Sequence, residues 1–68
     1  MKEFIDLKMP SGSNVCVATR RISMMQEVMS SEASTRIYFN SKDYILVVET
    51  IQQIQRKIHP PQQNFGPG

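Results

Sequence analysis

A single cysteine, Cys16, in a chain of 68 residues constrains this fold more than any other feature. So short a chain buries a smaller share of its surface than a large domain does, and it usually needs disulfides, a bound metal or a second chain. One thiol closes no internal disulfide, and no Cys and His spacing suggests zinc. Self-association is left as the source of extra stability. A lone thiol without a disulfide framework also points to the cytoplasm. The opening Met1-Lys2-Glu3-Phe4-Ile5-Asp6 reads as no signal peptide, because an acid follows at once and no apolar stretch precedes a cleavage site. The longest apolar run, Tyr44-Ile45-Leu46-Val47-Val48, falls far short of the ~20 residues of a membrane helix.

Period-two alternation sets the first half of the chain. In Phe4-Ile5-Asp6-Leu7-Lys8-Met9, Ile5, Leu7 and Met9 share one face while Asp6 and Lys8 share the other. Pro10-Ser11-Gly12-Ser13-Asn14 is turn chemistry. Val15-Cys16-Val17-Ala18 follows as a second strand, apolar on both sides, which completes a hairpin and makes Cys16 a buried structural thiol. A second hairpin pairs Thr35-Arg36-Ile37-Tyr38-Phe39-Asn40 with Tyr44 to Val48 across Asn40-Ser41-Lys42-Asp43. Its strands are rich in β-branched and aromatic residues. Ile37 and Phe39 face one way, Arg36 and Tyr38 the other. Between the hairpins, Ser30–Ser34 reads as a polar loop.

Thr50-x-x-Gln53 is a capping box, and Ile51, Ile54 and Ile58 then recur on one helical face. Arg56, Lys57 and His59 oppose the helix dipole in the last turn, and Pro60-Pro61 stops the helix. The fold class is therefore α+β: a small antiparallel sheet of two β-hairpins, one C-terminal helix packed on it, and a tail. Residues 1–59 make one domain, and 60–68 a flexible Pro/Gln/Gly tail. Residues 19–29 fit two readings. As a helix, Thr19 caps it and Ile22, Met25 and Met29 share a face, which propensity favours. As a strand, Ile22, Met24, Gln26 and Val28 alternate with their neighbours.

Thr35-Arg36-Ile37-Tyr38-Phe39-Asn40-Ser41-Lys42, with Val47-Val48-Glu49-Thr50 and the short basic helix after it, resembles the FlbD-like family of small flagellar and swarming-motility proteins. Asn40-Ser41-Lys42 stands where that family tends to have Asn-Gly-Lys, and Ile5-Asp6-Leu7 before Gly12 looks like its opening. The resemblance implies that Arg20 to Val28 is extended. On that ground Ile22 to Val28 is read as a strand.

No spacing assembles a catalytic group. His59 has no Ser, Cys or Asp at a distance in sequence that suggests a partner, so the chain reads as no enzyme. The acids lack the density of a calcium loop, and the only glycine turn joins two strands rather than opening a helix, so no metal and no cofactor is expected. The function expected is that of a small non-catalytic adaptor or regulator working by protein–protein binding as a homo-oligomer, a dimer or a ring. Ile22, Met24, Met25, Val28 and Met29 would form its interface, since methionine suits adaptable surfaces. The alternative is an RNA- or DNA-binding regulator using a basic sheet face of Arg20, Arg21, Arg36, Tyr38 and Lys42, with Tyr44 nearby. A phage-type oligomer sequestering a small anionic ligand is a third. The net charge of +2 selects none of them.

Overall fold

The computed structural model describes residues 1–60. The fold is α+β, in the order β1 (Phe4–Lys8), β2 (Asn14–Ala18), a 3₁₀ turn (Thr19–Arg21), β3 (Met24–Glu27), β4 (Thr35–Tyr38), β5 (Tyr44–Val47) and α1 (Ile51–Ile58). Both hairpins form, but in separate antiparallel sheets, β1-β2 and β3-β4-β5. The ambiguous segment divides: Thr19–Arg21 coil into one 3₁₀ turn, and Met24–Glu27 pair with β4 as a strand. Helix propensity loses there because the backbone groups of β4 offer a ladder that an isolated turn of helix cannot match. The tail expected at 60–68 lies, apart from Pro60, outside the described residues.

Each hairpin closes by a different device. In the first, Gly12 N–H donates to the Met9 carbonyl at 2.9 Å and Met9 N–H to Ser13 at 2.8 Å, while Gly12 takes φ +94°. That is a three-residue loop with a glycine in the left-handed position, which a side chain disfavours. In the second, the Asn40 side chain replaces the glycine. Its Oδ1 accepts from Lys42 N–H (2.7 Å) and Asp43 N–H (2.8 Å), and its Nδ2 donates to Asp43 Oδ2 (2.9 Å). Among the described residues only Gly12 has positive φ, so Ser41 needs no glycine.

The core lies between the inner sheet faces and the helix. Ile5, Leu7 and Val17 come from β1 and β2, Ile37 and Val47 from β4 and β5, and Ile54 from α1. Ala33, in the loop read as polar, is also buried. Thr35 is fully buried at the edge of this core, where its Oγ1 donates to the Glu49 carbonyl at 2.7 Å. A bonded hydroxyl can be buried at little cost. Thr19 Oγ1 ties the 3₁₀ turn to the Lys2 carbonyl at 2.7 Å. The capping box of α1 forms as the sequence reads, with Thr50 and Gln53 satisfying each other's backbone N–H.

The two sheets meet at one corner. Val48 N–H donates to the Lys8 carbonyl at 2.8 Å, and the Glu49 carboxylate accepts Lys8 N–H with both oxygens at 3.1 Å. The helix is fastened to β1 by Lys57 Nζ, which donates to the Asp6 carbonyl at 2.9 Å. One expectation fails here. Cys16 is exposed, not buried. Sheet β1-β2 is covered on a single face, so strand alternation that buries Val17 turns Cys16 outward beside Asp6.

Candidate binding face

The register of β3-β4-β5 decides which side chains share its uncovered face. Tyr38 sits opposite Met24 on one side and Tyr44 on the other; Arg36 sits opposite Gln26 and Leu46. Ile37 and Thr35 point inward with full burial, so Met24, Gln26, Arg36, Tyr38, Tyr44 and Leu46 make the outer face. The five-residue connection Phe39–Asp43, closed by Asn40 and by Phe39 N–H to the Asp43 carbonyl at 2.9 Å, fixes the Tyr38–Tyr44 pairing.

On that face the two tyrosines and Arg36 form one cluster. The ring centroids of Tyr38 and Tyr44 are 5.4 Å apart at 51°, within the range of favourable tilted aromatic pairs. The Arg36 guanidinium carbon lies 4.9 Å from the Tyr44 centroid and 6.0 Å from that of Tyr38. Its Nη1 donates to Tyr38 Oη at 3.1 Å, while its Nε is buried with no hydrogen-bond partner. The hydrogen bond to Tyr38, helped by the electrostatics of the two phenols, holds the guanidinium above its ordinary pKa and so firmly charged. The half-buried guanidinium is thus held in place by its neighbours, while Tyr44 and Met24 remain 49% and 51% exposed.

The structure sorts the residues expected at an interface into three places. Ile22 and Met25 pack against the core. Val28 lines a groove of about 510 Å³ between the end of β3 and α1. Met24 reaches the outer face, and Met29 is almost wholly exposed in the loop after β3. The five do not share one face.

The residues expected at a basic sheet face are also divided. Arg36 and Tyr38 are brought together as read. Lys42 stands exposed in the β4–β5 turn. Arg20 lines a notch beside Met1 and Phe4, and Arg21 lines a groove with Phe39 and Ile45, whose side chains belong to the inner side of the sheet. Tyr44 completes the cluster and Leu46 shares its face opposite Arg36, and counting outward from the Asn40 turn is the sequence signal that finds them.

Among the described residues no group of three or more His, Cys, Asp or Glu side chains is placed to hold a metal ion. No helix among them is long and apolar enough to cross a membrane. Compared with protein-family models, curated proteins and solved structures, the chain finds no match. The FlbD-like resemblance therefore stands on its short motifs.

Proposed function

We propose that this chain is a small non-catalytic binding protein of the cytoplasm, a homo-oligomer whose outer β3-β4-β5 face docks a protein partner. The observation that carries this reading is the Arg36–Tyr38–Tyr44 cluster, flanked by Met24, on a sheet face that no other element among the described residues covers. Tyr, Met and Arg are the residue types enriched at the centres of protein interfaces. A guanidinium and two phenols already held in position lose little side-chain entropy on binding. Nucleic acid would instead call for several cations on this face, and Arg36 stands on it without Arg20 or Arg21. The FlbD-like motifs of residues 35–58 support a regulator among the roles open to such a module.

A photo-crosslinking amino acid in place of Tyr44, introduced into the full chain in cells, tests the reading. The expected product is a discrete protein adduct that Arg36→Ala abolishes and that the same probe at the exposed Phe4 does not form. Adducts to nucleic acid, or the same products from both positions, overturn it.

A further inference from the structure

The two edges of the smaller sheet are treated differently. Met9 N–H to the Ser13 carbonyl and Thr19 N–H to the Glu3 carbonyl fix the hydrogen-bonding parity of the hairpin. Val15 and Val17 therefore turn their backbone groups toward β1, and Asn14, Cys16 and Ala18 turn theirs away from it. On β1, the outward groups toward the C-terminal end are occupied: Lys8 N–H by Glu49, the Lys8 carbonyl by Val48 N–H, and the Asp6 carbonyl by Lys57. On β2, no backbone or side-chain group among the described residues meets the outward N–H and C=O of Asn14 and Cys16 or the N–H of Ala18, whose carbonyl opens the 3₁₀ turn.

Nor does β2 carry any device that keeps a strand edge from pairing. Edges are commonly guarded by charged residues, proline or a bulge. Asn14-Val15-Cys16-Val17-Ala18 has no charge and no proline, and its register with β1 is unbroken. A mainly apolar groove of about 420 Å³ runs along this edge, with β2 as one wall and Phe39 and Ile45 in the other.

We infer that a second copy of this chain pairs with β2, antiparallel, about a two-fold axis at Cys16. The inference rests on the oligomeric part of the proposed function and is independent of the partner-docking face. The parity leaves one register that uses both free groups of Cys16 and the free N–H of Ala18: Asn14 opposite Ala18 of the second copy, Cys16 opposite Cys16, and Ala18 opposite Asn14. The Cys16 pair exchanges two backbone hydrogen bonds, each Asn14–Ala18 pair forms one from Ala18 N–H to the Asn14 carbonyl, and the two hairpins become one four-stranded sheet. No charged side chain lies on either strand, and the groove beside them carries one charge of each sign, Arg21 and Asp43. Strand pairing alone covers less than the ~800 Å² per partner of a standard interface. The groove supplies the rest: the partly exposed Val15 of the second copy faces Phe39 and Ile45.

Sedimentation of the full chain, with site-resolved amide exchange, tests this. The expected result is twice the single-chain mass, with the Cys16 and Ala18 amides protected as the concentration rises. Cys16→Lys, which sets two ammonium groups on the axis, is expected to restore the single-chain mass with an unchanged circular dichroism spectrum. Cys16→Ser keeps the doubled mass. A single-chain mass for the parent protein overturns both the oligomer and the inference. A doubled mass with freely exchanging Cys16 and Ala18 amides, or one that Cys16→Lys leaves intact, overturns the β2 pairing alone and leaves the oligomer standing.

Discussion

The two sheets spend their outer faces differently. On β1-β2, the outer residues Phe4, Asp6, Lys8, Asn14 and Cys16 are exposed, and the hydrogen bonds recorded for Asp6 and Lys8 come from their backbone. On β3-β4-β5, Arg36, Tyr38 and Tyr44 are locked to one another by stacking and a hydrogen bond. The inner faces are alike, each giving β-branched or leucine side chains to the core. The difference lies in the third strand. Two strands present one lateral pair per row, whereas three give Tyr38 a neighbour on both sides, Met24 and Tyr44. A central strand is what allows a surface cluster to be held rigid.

That comparison can be broken at several levels. The largest effect is expected where the sheets share a core. Ile37→Ala, at a fully buried position in the central strand, should lose about 2–5 kcal/mol in urea unfolding. Neighbouring residues of β3 then separate the faces. Met25→Asp, which sets a carboxylate against the core, should lose about 2 kcal/mol or more, while Met24→Asp on the outer face stays within about 0.5 kcal/mol. Equal losses would mean that the outer face is covered after all.

Thr35→Val keeps the shape of the side chain and removes its bond to Glu49, for an expected loss of about 1–3 kcal/mol. A neutral result would show that the junction of β5 and α1 does not depend on it. Gly12→Ala meets no atom within 4 Å, so its expected loss of about 1 kcal/mol measures backbone strain in the first hairpin alone. The smallest effect falls on the idle face: Phe4→Ser should change the unfolding free energy by less than about 0.5 kcal/mol. A large drop there would show that the β1-β2 outer face is also in use.

Much of this was legible in the chain. Alternation placed Ile5 and Leu7 inside, the turn chemistry at Gly12 and Asn40 located both hairpins, and Thr50 with Gln53 marked the start of the helix. Residues 19–29 were not legible. Their side chains serve a helix about as well as a strand, and β4, beyond the following loop, supplied the ladder that decided it. Cys16 was misread for a related reason, because an apolar residue between two valines looks buried until the number of covered faces is known. Of the site, Arg36 and Tyr38 were read on one face correctly, but Arg20 and Arg21 follow the 3₁₀ turn away from it.

The sequence by itself determined the elements: four of the five strands, the capped helix and two turns, each written in local periodicity and in side chains that bond their own backbone. Only the tertiary structure decided how the strands divide between two sheets, which sheet face is left uncovered among the described residues, and that β1 has its edge tied down at Asp6 and Lys8. Those outcomes depend on contacts between residues far apart in the chain, such as Lys8 with Val48 and Glu49, and Asp6 with Lys57. No local pattern encodes such contacts, because either partner alone would look the same without the other.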